Sequence, residues 1–237
     1  MGRDKDNRTE RVCEVRQLGR VAYGDAWDVQ NQLAEARGQG GVDTLLLLEH
    51  PPTYTLGSSG DAKHLLLTPA QLAAHGIPVQ RVDRGGDITY HGPGQRVGYP
   101  IMQLERSAGR GGLRTDVIGY IRKLEQVIIQ TIRSYGISGH AIPGLTGVWV
   151  ATPRGPEKIA AIGVKINVKA VTKHGFALNI NTDLSAFDGI IPCGISDKGV
   201  TSLAALLGKP VDEAEVTGRL IAAFGAIFNR TMITRAE

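Results

Sequence analysis

The feature that most constrains this chain is the stretch Arg84-Gly85-Gly86-Asp87-Ile88-Thr89-Tyr90-His91-Gly92-Pro93-Gly94-Gln95. Glycine at 85, 86, 92 and 94, with Pro93 among them, implies backbone that turns where side chains would clash. Between the glycines stand a fixed cation, a carboxylate, hydroxyls and an imidazole, a cluster that flexible Gly/Ser linkers lack. Backbone able to approach a ligand closely, lined by a few polar groups, is how a substrate site is built. The plainer alternative is a hairpin with solvated polar side chains, and spacing alone does not separate the two.

At 237 residues, with 42% hydrophobic and 21% charged residues, the chain is long enough to bury a core without staples. We expect one domain over 12–237 behind a flexible, charged tail at 1–11. The formal net charge of +4 is too mild to choose between acidic proteins and nucleic acid. Aromatics at 5% leave no stacking platform for nucleic acid, so none is expected as partner. Cys13 and Cys193 stand far apart with no C-x-x-C pairing, which argues against a disulfide framework or metal site and for a reducing compartment. The charged start resembles no signal peptide, and Leu45–Leu48 is far too short to span a bilayer, so a cytoplasmic protein without a membrane partner is expected.

Patterning predicts a strand over Val12–Leu18, then a helix from Tyr23 ended by Gly38 and Gly40. A buried strand follows at Thr44–Glu49, and a short helix opened by Thr68-Pro69 is closed by Gly76. Val79–Asp83 and Val97–Leu104 are read as strands flanking the glycine-rich stretch, which places its polar cluster at a turn. Ser107–Gly112 reads as a connector. Thr115–Tyr135 is the clearest helix, with Ile118, Ile121, Leu124, Ile128, Ile132 and Tyr135 as its apolar stripe. Strands follow at Gly147–Ala151, Lys158–Val168 and Gly175–Ile180, with a turn over Pro153–Pro156. Short helix over Val200–Leu207 and a last helix capped by Asp212 and running through Phe228 complete an α+β fold, a mixed β-sheet with helices packed on it.

Cys193 lies in Ile190-Ile191-Pro192-Cys193-Gly194-Ile195. Its apolar flank fits an inert buried thiol. Pro192 and Gly194 instead place it on a tight turn, where a cation or base would hold it as thiolate. Lys158, Lys165, His91 and His174 are the candidates for that group. Lys158 heads the apolar run Lys158-Ile159-Ala160-Ala161-Ile162-Gly163, where its stem would be buried and its ammonium set near the sheet's end. Lys165 and Lys169 better fit lysines facing water.

Taken together, Arg84–Gln95, Glu49-His50-Pro51-Pro52-Thr53-Tyr54-Thr55-Leu56-Gly57, Lys158–Gly163, His174-Gly175-Phe176-Ala177-Leu178-Asn179 and Pro192-Cys193-Gly194 resemble the lipoyl(octanoyl) transferases. The resemblance runs from about Tyr23 to the C-terminal helices and implies the biotin/lipoate protein ligase catalytic-domain fold. It also implies that octanoyl passes from octanoyl-acyl carrier protein to a lysine of lipoyl domains, those of 2-oxoacid dehydrogenase complexes and of the glycine cleavage H protein, with no cofactor or metal. The family's acyl-thioester nucleophile falls on Cys193, and the lysine that lowers its pKa and moves its proton on Lys158. Acyl-substrate contacts fall on Arg84, Gly85, Gly86, Asp87, Ile88, Thr89, Tyr90 and His91, on Ala161, Ile162 and Gly163, and on Gly175, Phe176 and Ala177. The interval from Lys158 to Cys193, which contains the lysine-rich piece Lys165–Lys173, is slightly longer than the family's usual one, which implies an extra loop residue near Val168–Val171. Three other readings stand beside this one. They are an ATP-dependent lipoate or biotin ligase, which needs no cysteine, a basic nucleic-acid module, and a Cys-His hydrolase using His174 or His91.

Overall fold

The computed structural model describes residues 11–109, 112–191 and 198–234. The expected tail over most of 1–11, and Cys193, therefore lie outside the described residues.

The chain runs through strand β1 (Val12–Arg20), helix α1 (Tyr23–Gly38), β2 (Asp43–Glu49) and β3 (Thr53–Leu56). Next come α2 (Pro69–His75), β4 (Val79–Arg81), β5 (Ile88–His91) and β6 (Gln95–Ile101). The hairpin β7 (Arg106–Gly109) and β8 (Gly112–Thr115) leads into α3 (Val117–Arg133). Strands β9 (Gly139–Ile142), β10 (Leu145–Thr152), β11 (Gly155–Ile166) and β12 (Thr172–Asn179) follow. The chain then passes through β13 (Gly199–Val200), α4 (Leu203–Leu207), α5 (Glu213–Phe228) and β14 (Thr231–Thr234).

Among the described residues the main sheet has the order β14-β1-β2-β6-β12-β11-β10-β9, with β13 added to β11. It is mixed, since β1 runs parallel to β14 and β2 while β6, β10, β11 and β12 pair antiparallel. Strand β2 explains the layering. Leu45 and Leu47 join the core under α3 and α5, whereas Leu46 and Leu48 face the opposite side, against α1. A strand buried on both faces reads as a continuous apolar run, as this one does. At about 1.5–3 kcal/mol for each fully buried large apolar side chain, those four residues contribute strongly to both layers.

A smaller sheet, ordered β4-β3-β5, stands beside the main one and buries Tyr54, Leu56, Ile88 and Tyr90 with Phe187 and Ile190. This revises the glycine-rich stretch. Its Ile88–His91 portion is itself a strand paired with β3, so the flanking strands do not pair and the polar cluster is split between a turn and β5. Ser107–Gly112 likewise is no connector, because Arg106–Gly109 pairs with Gly112–Thr115. Strands β9 and β14, at the two edges of the main sheet, had no alternating signal in the sequence.

Helix α3 starts where the Asp116 carboxylate accepts from the Gly119 N–H at 2.8 Å, and it buries Tyr120, Leu124, Val127, Ile128 and Ile132. The expected stripe is right from Leu124 onward. Ile118, however, is 73% exposed and Ile121 turns to a cavity. The β11–β12 hairpin closes over residues 167–171, where the Asn167 N–H donates to the Val171 carbonyl.

Candidate active site

Strands β11 and β12 form one wall of the site. Ala161 pairs with Ala177 and Gly163 with Gly175 across the ladder. The Arg84–Gly86 turn forms the facing wall. The Gly85 N–H donates to the Val164 carbonyl at 2.9 Å, and Ser58 and Ser59 donate their N–H groups to the Arg84 and Gly86 carbonyls at 2.9 and 3.2 Å. The turn is thus held on β11 from one side and on the end of β3 from the other. A Cβ at Gly163 would lie 2.7 Å from the Gly85 carbonyl oxygen, so glycine is what lets the two walls meet.

Between these walls is a cavity of about 520 Å³. Arg84 through Thr89, His91, Lys158, Ala161–Gly163 and Gly175–Ala177 all border it. Lys158 and every expected substrate contact except Tyr90 are therefore gathered at one place. Alternation along β5 turns Tyr90 into the small-sheet core, where its ring lies 5.6 Å from Tyr54 and 5.5 Å from Phe187. Asp87 borders the cavity with its carboxylate already engaged. It accepts from the Asp61 and Ile88 N–H groups at 3.1 and 2.7 Å and pairs with His64 Nδ1. Tyr90 therefore lies behind the wall, while Asp87 stands at the cavity border with these partners.

Arg84 is also occupied structurally: Nη2 donates to the Thr55 carbonyl and Oγ1 at 2.7 and 2.8 Å, and Nη1 donates to the Gly85 carbonyl at 3.1 Å. Its fixed charge stiffens the turn while facing the cavity.

Sequence reasoning missed several cavity residues. Val117 and Ile121 from α3, Leu145 from β10 and Val164 add apolar surface, and Tyr23 and Tyr99 add hydroxyls. Tyr23 sits at a helical apolar position, so nothing local distinguished it from core.

At the Tyr23 end lies a buried polar network with defined proton positions. His50 donates Nδ1–H to the Val21 carbonyl at 2.8 Å, leaving Nε2 to accept the Tyr99 hydroxyl at 2.7 Å. His174 donates Nε2–H to Asp83 Oδ1 at 2.7 Å and presents Nδ1 to the Tyr23 hydroxyl at 3.3 Å. His91 pairs through Nδ1 with Gln95 Oε1 at 2.8 Å. Burial pushes His50 and His174 down to about 4, and it also lowers His91, with help from the neighbouring His50 and Arg84. Burial opposes ionisation of Asp83, yet hydrogen bonds from His174 and Lys173 hold it below its ordinary value. The imidazoles are neutral at neutral pH and form a fixed polar lining.

Lys158 stands at the other end. It is 7% exposed, its ammonium lies 4.7 Å from the centre of the Trp149 ring, and it also borders a narrow pocket of about 20 Å³ with Thr89, Ala161, Ala177 and Val200. Val200 pairs directly with Lys158, and the Thr201 N–H donates to the Lys158 carbonyl at 3.0 Å. On the near side of the 192–197 segment, the Ile191 N–H is tied to the His64 carbonyl at 2.8 Å. Cys193 lies in that segment. Lys165 is exposed, as expected of a lysine facing water. Cys13 is in the main core, its thiol pushed up to about 12 by burial and by the Asp43 charge.

The comparisons with known proteins agree with this architecture. The sequence model of the lipoyl protein ligase A/B catalytic domain matches residues 22–225. An octanoyltransferase of Chloroflexus aggregans is 51% identical over 220 residues, covering 92% of this chain and 96% of that protein. An octanoyltransferase of Mycobacterium leprae is 49% identical over 202 residues, covering 84% of this chain and 81% of its own. Among solved structures, a bi-partite lipoate protein ligase from Thermoplasma acidophilum superposes with a TM-score of 0.67 at 17% identity, covering 96% of this chain and 88% of that one. At that identity the last likeness speaks for the fold.

Proposed function

The chain belongs to the lipoyl protein ligase A/B catalytic-domain family and, within it, to the octanoyltransferases, and from that premise we propose a two-step acyl transfer from octanoyl-acyl carrier protein to a lipoyl-domain lysine. The observation that carries this reading is the single cavity joining the glycine-rich turn, the β11–β12 wall and Lys158. Its volume of about 520 Å³ lies within the roughly 300–1,000 Å³ typical of small-molecule sites. Ala161, Ile162, Phe176 and Ala177 offer an apolar bed for the acyl chain. Each buried methylene contributes about 0.8 kcal/mol, enough in sum to select an alkyl chain over a short acid.

In the first step the Cys193 thiolate attacks the thioester carbonyl carbon. A new carbon–sulfur bond forms, the bond to the phosphopantetheine sulfur breaks, and that sulfur leaves as a thiolate that takes up a proton. In the second step the acceptor lysine's amine attacks octanoyl-Cys193. A carbon–nitrogen bond forms, the bond to Cys193 breaks, and the nitrogen's excess proton is lost. The Lys158 ammonium supplies the field that favours thiolate at Cys193, and its amine form can carry the proton. Thioester to amide is downhill, so the donor already carries the activation and covalent catalysis divides the work in two.

The test is transfer with purified octanoyl carrier protein and a lipoyl domain, with no nucleotide added. Octanoyl amide on the domain's lysine is the expected product. An absolute requirement for ATP would place the chain with the ligases.

A further inference from the structure

Helix α3 carries a carboxylate where its neighbours are core residues. Glu125 is fully buried between Leu124, Val127 and Ile128. A buried carboxylate is tolerated only when its oxygens are hydrogen-bonded, and an apolar residue would fill this face more simply. Both oxygens are engaged. Oε2 accepts from Nη1 of Arg122, one turn earlier and 47% exposed, at 2.6 Å. Oε1 accepts from the backbone N–H of Gly147 at 3.2 Å.

Gly147 is where β10 departs from regular pairing. Its φ is +123°, and the β10–β11 register shifts between Val148 and Trp149. A Cβ there would lie 2.6 Å from the Ala160 carbonyl oxygen and 3.4 Å from Lys158 Cε. The Lys158 stem therefore crosses directly over Gly147. Gly144, Leu145 and Thr146, just before the bulge, border the acyl cavity, and the Leu145 carbonyl accepts Trp149 Nε1–H at 3.2 Å. Trp149 in turn supplies the ring beneath the Lys158 ammonium.

We propose that Glu125 is a positioning residue for the transfer reaction. It reaches through the sheet face to hold the Gly147 bulge, and the bulge fixes the Lys158 stem and the 144–147 wall of the cavity. The inference rests on the assignment of Lys158 and Cys193 made above, and it adds a residue that touches neither substrate nor nucleophile.

Two conservative variants, one isosteric and one shorter, separate reach from charge. Glu125→Gln keeps the length and an oxygen able to accept the Gly147 N–H, but loses the charge. Glu125→Asp keeps the charge but is a methylene too short. Each is compared with the parent and Lys158→Ala for thermal midpoint, kcat, KM for octanoyl carrier protein, and the rate of Cys193 alkylation at neutral pH. We expect Glu125→Asp to lose about tenfold in kcat with KM within roughly twofold, and to alkylate more slowly, towards Lys158→Ala. Glu125→Gln retains most of both rates. Glu125→Asp with parental kcat and alkylation overturns the inference, as does a Gln variant that falls as far as the Asp variant. Lys158→Ala at parental rates would instead sink the assignment of Lys158 itself, whatever the Glu125 variants do.

Discussion

Lys158 and Trp149 are directly paired across β10 and β11, and the lysine's ammonium lies 4.7 Å from the centre of the tryptophan ring. A desolvated cation over an indole is stabilised by about 2 kcal/mol. The contact holds the charge at the end of the acyl cavity next to the strand that follows the Cys193 segment. Lys158→Ala is accordingly expected to slow alkylation of Cys193 near neutral pH and to move its reactivity curve to higher pH, by about 1.4 kcal/mol for each pKa unit. Lys158→Arg keeps the charge but gives up no proton at these pH values, so it retains thiol reactivity better than octanoyl transfer. Lys165→Ala, at an exposed position, is the control and should match the parent.

Much of this site was legible in the sequence because its parts are local. The glycines of 84–95 mark the turn, and the apolar run after Lys158 marks the wall. The remainder depended on tertiary contacts. Tyr23 and Tyr99 come to the cavity from α1 and β6, and the bulge at Gly147 is fixed by Glu125 from a helix 22 positions away. The same holds for the fold. The apolar stripe of α3, the Asp212 cap of α5 and the continuous apolar run of β2 were readable, whereas β9 and β14 are four-residue edge strands whose pairing is set by their neighbours. Ile118 has helical spacing but stands before the helix meets the sheet, so spacing alone assigned it to the core wrongly.

The meeting of Gly163 with Gly85 gives a steric prediction. Alanine at 163 would place its Cβ 2.7 Å from a backbone oxygen and 3.2 Å from Arg84 Cδ. The turn must move, at a cost of about 1–3 kcal/mol in stability, and KM for the octanoyl donor should rise severalfold. Gly24→Ala, with nothing within 4 Å, should leave activity unchanged. Equal effects of the two substitutions on KM would contradict the close approach.

The buried histidines make stability pH-dependent. His50 and His174 are pushed down by burial from about 6.5 in the unfolded chain to about 4 in the folded one. Between those values the unfolded state binds more protons, so their contribution is complete above pH 6.5 and is lost as pH falls towards 4. Each accounts for roughly 3 kcal/mol. Urea unfolding at stepped pH should show stability falling across this window, less steeply in His50→Gln. A flat profile from pH 6.5 to 4.5 would mean that these imidazoles are not held neutral.

Cys13 provides the negative control for the thiol chemistry. It is fully buried in the main core, with its thiol pushed up to about 12. Cys13→Ala should lose on the order of 1 kcal/mol of stability through a small cavity, with transfer activity kept. Cys193→Ser should stay folded and lose transfer. A dead Cys13 variant beside an active Cys193 variant would reverse the assignment.

The most direct test of the account is the intact mass of the protein after mixing with octanoyl carrier protein in the absence of a lipoyl domain and nucleotide. The parent is predicted to gain the mass of one octanoyl group, located on Cys193 by peptide mapping and discharged when a lipoyl domain is added. A parent that transfers octanoyl at its full rate while never carrying the group, or a Cys193→Ser protein that still transfers, would contradict it.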